Sequence, residues 1–308
     1  MTLTERTNHI KEKVNLIFGI IKPIILTILF IILLNHVESI KKDVYSGIKW
    51  IVSCLIPTLF PFAILTQLLS TINFKFPFSR LVCHILGIDE ELLVPLVLGM
   101  ICGFPIGAIL TREIYKNGSI TKEEAERVII LSSQPSIAFL IGIGATAFPG
   151  AHRERLLIPL IVIMVVLFLL LSRKSNRETQ FSSVIVRQSM SISKCIMLSG
   201  EAMINLSFFV TTFFAVSSVI KLTIKNQVLV ALILPFIELS NSITYISSID
   251  ISESLKIFTL ALSIGFSGLS VFLQIKSILK ETGLSIKKYI PLKLLEGIVL
   301  ALMMVLLK

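Results

Sequence analysis

The residues that could do chemistry stand inside apolar runs, where polar groups are costly. Glu238 interrupts PFIELSNSI, with Ser240, Asn241 and Ser242 following it. An acid at membrane depth marks a functional position by default. Here it would either couple a proton to a moving solute or accept hydrogen bonds from the amides of a broken helix. Ser132, Ser133 and Gln134 form a second polar knot in SSQPS, and Ser267, Gly268, Ser270 and Gln274 a third in SGLSVFLQ. A fourth interruption carries almost no polar side chain: GMICGFPIGAIL breaks its run with Gly103, Phe104, Pro105 and Gly107. Proline removes a backbone donor, glycine weakens a helix, and lipid cannot satisfy the freed groups. Such breaks are tolerated only where protein or a water-filled cavity surrounds them. Helix N-termini and unwound amides there offer positive dipole ends to an anion. The candidate substrate-binding set is therefore Gly103, Phe104, Pro105, Gly107, Ser132, Ser133, Gln134, Glu238, Ser240, Asn241, Ser242, Ser267, Gly268, Ser270 and Gln274, with Glu238 also the candidate coupling residue. Neutral donors would hold a carboxylate in such a site, since no lysine or arginine lies at these breaks in sequence. Phe104 would stack on a ring.

The same residues have plainer uses. Glycine and proline kink packed membrane helices. Serines back-bond to their own helix, and polar side chains tie helices together. Glu201 lies near a segment end, within reach of the interface. Lys293 and Glu296 are spaced i and i+3 on one helix, which predicts that they pair.

These residues sit in a chain of 308, 54% of them hydrophobic, with a mean hydropathy of +0.90. That composition predicts an all-α polytopic membrane protein, and the apolar segments have helix length, unlike the short alternating strands of an outer-membrane barrel. Lysine and arginine number 29 against 19 acids. The basic residues are scattered between apolar segments and form no stripe, which excludes a nucleic-acid partner and leaves the lipid bilayer and a small organic anion. Cys54, Cys83, Cys102 and Cys195 form no C-x-x-C pair, the four histidines are dispersed, and neither H-E-x-x-H nor a phosphate loop occurs. The reading is free thiols, no metal, no cofactor and no enzyme; no nucleophile has a base at helical spacing.

A basic start and an apolar run over 14–34, without a small-residue cleavage site, read as a retained first helix. Eight further apolar segments cover 47–69, 92–110, 128–148, 156–171, 195–220, 228–246, 255–275 and 289–307. A polar, basic link separates them four and four. The domain reading is 1–45 for the tail and first helix, 46–172 for one repeat, 173–194 for a cytoplasmic link and 195–308 for a second repeat. Both second segments are broken midway, and both third segments are broken again. Both third segments also open on capping-box spacing, Thr121 with Glu124 and Asp250 with Glu253. Pro57 and Pro61 shape the helix that opens the first repeat.

Loop charge distinguishes two topologies. If every segment crosses, lysine and arginine divide almost evenly between the sides. If both second segments turn back to their own side, 72–91, 112–127, 173–194 and 276–288 share a face carrying about twice the basic residues of the other, as the positive-inside tendency requires. Each half then crosses three times, and the second repeat is inverted relative to the first.

At these breaks the chain resembles a known family, the sporulation integral membrane proteins of the YlbJ type within the wider Gate or nucleoside-recognition superfamily. The resemblance is carried by IPTLFPFAILTQLL (56–69), GMICGFPIGAILTREIYKNGSITKEEAERVI (99–129), SSQPS (132–136), IELSNSI (237–243) and GFSGLSVFLQIKSIL (265–279), in that order. It implies a fold like that of the nucleoside carriers, a place in the mother-cell-derived outer forespore membrane, and dipicolinate as substrate. The chain departs from the family pattern in places: Cys102 precedes Gly-Phe-Pro, and Ser267-Gly268 stands where Gly-Gly often opens the last motif. A nucleoside-like solute, or a non-transporting role in assembling the spore envelope, are the alternatives.

Overall fold

The computed structural model describes residues 21–71, 90–136 and 191–307, together with residues 19, 79, 81, 83, 139, 140, 147, 148, 159, 162, 163 and 166. Every regular element among them is helical. Helix α1 covers Ile21–Asn35. α2 (Val37–Trp50) runs through a π turn (Ile51–Leu55) into α3 (Ile56–Thr71). The π turn lies just ahead of Pro57, and Pro61 lies inside α3. Proline and π turns are the usual causes of such a break in helical register. The span therefore begins about ten residues before the apolar run that announces it.

α4 (Glu90–Cys102) and α5 (Ile106–Lys116) follow, then α6 (Lys122–Ser132). The 32-residue α7 (Ile192–Thr223) opens the second half. α8 (Gln227–Ile237) and α9 (Leu239–Ser248) are its broken pair, α10 (Glu253–Phe266) and α11 (Gly268–Ile278) meet at Ser267, and α12 (Tyr289–Leu306) closes the chain. Among the described residues, four stretches are long and apolar enough to span a bilayer: Val37–Leu69, Ile192–Thr223, Glu253–Ile278 and Tyr289–Leu306. This is a multi-pass membrane protein. The fourth segment of the first half and the 173–190 link lie outside the described residues, apart from the few positions named above.

Neither broken second segment runs straight. α4 and α5 fold back on each other as a helical hairpin whose turn is Gly103–Pro105. A Cβ placed on Gly99 would lie 2.8 Å from the Cα of Gly107, eight residues on, a distance only a reversed chain allows. α8 and α9 are parted by Glu238 alone, whose extended backbone (φ −154°, ψ 132°) breaks the helix, and they pack together about it. Their arms have 13, 11, 11 and 10 residues. At about 1.5 Å per residue, each reaches only about halfway through a hydrocarbon core of about 30 Å.

Two contacts show which loops share an end of the molecule. Ser285 donates its backbone N–H to Glu126 (2.7 Å), and Arg112 reaches the carbonyl of Ile278 (3.3 Å), so 112–127 and 276–288 lie together. At the opposite end Lys221 pairs with Asp43 at 2.7 Å. A chain crossing with every segment would separate both pairs. Both pairings fit the topology with two turned-back segments.

The predicted capping box at Thr121 forms in both directions. The one at Asp250 does not: Ser252 takes the N-cap of α10, without a side-chain bond. All four cysteines are free thiols.

The halves interlock. Ala108, Ile129 and Ile130 pack against Val271, Ile275 and Tyr289. Phe139 and Leu140 join Ile243, Leu260 and Leu300. α10 and α12 approach closely, and a Cβ on Gly265 would meet the Cα of Gly297 at 2.6 Å. Outward-facing Val52 of the π turn, Leu65 of α3, and Met197, Ile204 and Phe208 of α7 give these two spans an apolar surface suited to lipid.

Ser267 joins α10 to α11 at φ 67°, in the left-handed region, where L side chains are strained and glycine is not. Ser267→Gly should raise stability by about 0.5 kcal/mol, the relief of about 1–2 kcal/mol of left-handed strain less glycine's added unfolded-state entropy. Thermal unfolding in detergent checks it. A lower midpoint would mean that the bond from Ser267 Oγ to the carbonyl of Ile264 (3.0 Å) is worth more than the strain.

Candidate functional site

Each hairpin turn is seated against a helix break of its own half. In the first half, Phe104 N–H donates to the carbonyl of Gln134 at 3.1 Å. Gly103, at φ 76°, leaves so little room that a Cβ would stand 2.5 Å from the backbone nitrogen of Ser136. Behind the turn, Gly99 and Gly107 clasp Ser132. In the second half Gly268, at φ 83°, lies against Glu238, and a Cβ there would come within 3.0 Å of the Glu238 Cα and the Ile237 carbonyl. Ser242 and Ser263 hydroxyls bond at 2.7 Å beside it. The glycines thus serve close backbone approach, not kinking alone.

The turns and breaks meet at one small cavity. It is lined by Phe104, Ser136, Glu238, Ser240 and Gln274, with Cys102, Phe139, Leu239 and Val271, and walled by Leu55, Leu59, Leu206 and Val210 of the two long helices. Its open volume of about 20 Å³ has room for one water. Asn241 Nδ2 and Gln274 Oε1 are buried nearby without partners. Buried polar groups left unpaired are uncommon and point to a ligand or to a rearrangement.

Glu238 is 3% exposed. Its carboxylate accepts the backbone N–H of Asn241 at 2.6 Å and caps α9. It is thus both the acceptor for a broken helix and a wall of the cavity. Other members of the predicted set have local partners. Ser132 and Ser133 hydroxyls bond the carbonyl of Ile129. Ser270 accepts from Gln274 Nε2 at 3.3 Å. Pro105 and Gln274 face a second, larger space described below.

One sequence expectation is corrected here: a lysine does reach a break. Lys293 Nζ bonds Gln134 Oε1 and Glu296 Oε2, both at 2.8 Å, and Gln134 Nε2 approaches Glu296 at 3.4 Å. Lysine and glutamate pair as their spacing predicts, but they are 1% and 2% exposed and tie α12 to SSQPS. The spacing shows the pair. It does not show the third member, which lies some 160 residues away. Cys102 and Ser136 stand inside the quoted motifs without being singled out as site residues, and Phe139 lies three residues beyond SSQPS.

The chain is 22% identical to the sporulation integral membrane protein YlbJ of Bacillus subtilis (strain 168), in an alignment covering 89% of this chain and 79% of that protein. The chain is related to a sporulation integral membrane protein. The relationship agrees with the resemblance carried by the motifs. No family profile matches the chain, and no solved structure does.

Proposed function

We propose that the protein is a non-enzymatic membrane transporter or facilitator of a small organic anion, with dipicolinate, an aromatic dicarboxylate, as its substrate and the outer forespore membrane as its place. The observation that carries this is the convergence of half-length helices, two turns and two helix breaks on one small buried cavity, where Ser136, Glu238, Ser240 and Gln274 stand in an otherwise apolar lining. Half-length helices with broken backbones are built where a solute must be held at mid-depth. The shared ends of 112–127 with 276–288, and of Asp43 with Lys221, support hairpins that re-enter from opposite faces in an inverted repeat.

A cavity of this size admits water, not a ring. Binding therefore requires the turns at Phe104 and Glu238 to part. The carboxylates would then meet Ser136, Ser240, Asn241 and Gln274, and Phe104 would stack on the ring for roughly 0.5–1.5 kcal/mol. Glu238 in its charged form repels a dianion, so protonation of Glu238 would accompany substrate binding.

Uptake of labelled dipicolinate into vesicles carrying the purified protein tests the function, with other dicarboxylates and nucleosides as competitors. The expected result is saturable uptake that dicarboxylates inhibit and that weakens as pH rises. Inhibition by nucleosides alone would shift the substrate class, and no uptake or binding at millimolar dipicolinate would overturn the assignment. Glu238→Gln keeps an acceptor for the Asn241 amide while removing the charge. It should preserve binding and abolish the pH dependence; unchanged pH dependence would remove Glu238 from coupling.

A further inference from the structure

A second cavity of about 180 Å³ lies beside the first, between α5, α7 and α11. Its inner end is Pro105 and Gln274, and its outer end is Arg112, Ser277 and Ile278; Asn205 and Phe209 of α7 form its side. Leu206 and Gln274 line both spaces. They are the partition, and both are buried. Gln274 keeps its carbonyl oxygen unpartnered there. Asn205 is exposed in the middle of a 32-residue apolar helix. An amide facing lipid at that depth would be costly, whereas one facing a wet cavity is satisfied.

The charge at the outer end is asymmetric. Arg112 lines the cavity, held by its bond to the Ile278 carbonyl. Its partner Glu113, at 2.6 Å, is 55% exposed and does not line it. A surface pair of this kind is screened by water and leaves much of the cation's field inside the concavity. Lys116 and Lys276 stand close by in sequence on the same two elements, and Lys280 lies in the turn just after α11.

We propose that this cavity is the access vestibule of the inner site, that Arg112 selects anions of the carboxylate class at its mouth, and that Gln274 and Leu206 close it off from the inner cavity. The vestibule opens on the face shared by 112–127 and 276–288. The proposal deepens the transport reading and rests on it for the identity of the solute, but its test needs no transported substrate.

The test is thiol labelling of the full chain in vesicles, resolved by site with mass spectrometry. Ser277→Cys places a thiol at the outer end, and native Cys102 reports the inner cavity. Two membrane-impermeant methanethiosulfonates are used, one anionic and one cationic. The thiol introduced by Ser277→Cys should react from one face only, faster with the anionic reagent, while Cys102 reacts far more slowly. Adding Arg112→Gln should slow the anionic reagent about fivefold and speed the cationic one by a similar factor, as expected for one unit charge acting across a wet cavity of this size. Arg112→Lys should restore the preference. A preference unmoved by Arg112→Gln would overturn the anion-selecting role, labelling from both faces or from neither would overturn the vestibule, and Cys102 reacting as fast as the introduced thiol would overturn the partition. If labelling behaves as expected and dipicolinate uptake still fails, the vestibule stands and the substrate assignment falls.

Discussion

Gly103→Ala should cost about 2–5 kcal/mol and abolish transport while leaving membrane insertion intact. Two penalties add at this residue. Its φ of 76° suits glycine, and a side chain forced into the left-handed region costs about 1–2 kcal/mol. The added methyl would also stand 2.5 Å from the Ser136 nitrogen and 2.9 Å from the Gln134 carbonyl. Those are backbone atoms that cannot rotate away, so overpacking adds about 1–3 kcal/mol. The hairpin would have to lift off SSQPS, taking with it the bond from Phe104 N–H to Gln134 and the cavity wall at Phe104. Gly118→Ala is the control, because Gly118 has the same φ of 76° with open space around it. It should show the conformational penalty alone, about 1–2 kcal/mol, with transport kept. Thermal unfolding in detergent and vesicle uptake measure the two effects. If the two variants behave alike, the seat against Ser136 does not matter.

Lys293→Met should be the most destabilising single change in the second half, at about 3–5 kcal/mol, because it strands a buried carboxylate. Glu296 would keep only the weak contact to Gln134 at 3.4 Å, and its other oxygen is already without a partner. The double variant Lys293→Met with Glu296→Leu should recover most of the loss, since a buried ion pair replaced whole by apolar side chains is often near neutral. What remains is the cost of leaving the Gln134 amide unpaired, about 1–2 kcal/mol. Unfolding of the three proteins in the same detergent closes the cycle. A double variant no more stable than the single would mean that the pair contributes more than charge compensation, through the geometry it imposes on SSQPS.

The comparison between sequence and structure turns on the range over which each interaction acts. The class of molecule was legible because apolar run length is a local property and lipid tolerates little else. The interruptions at Gly103 and Glu238, and the cap at Thr121, were legible because proline, glycine and capping side chains act within a turn of helix. Loop charges favoured turned-back second segments because the bilayer sums charge irrespective of how the helices pack, and the pairing of 112–127 with 276–288 fits that expectation. The pairing of Lys293 with Glu296 followed from helical spacing alone.

Tertiary structure decided the rest. Only the fold shows that the run at Gly103 reverses completely, that SSQPS seats its turn, and that Gly268 exists to let α11 approach Glu238. It also replaced Asp250 by Ser252 at the N-cap of α10, since a cap depends on where the preceding chain enters and not on spacing alone. The Gln134–Lys293–Glu296 knot joins residues about 160 positions apart, and the two cavities draw their walls from elements spread over the whole described chain. Such contacts are set by how rigid helices close on one another, and no window of sequence contains both partners.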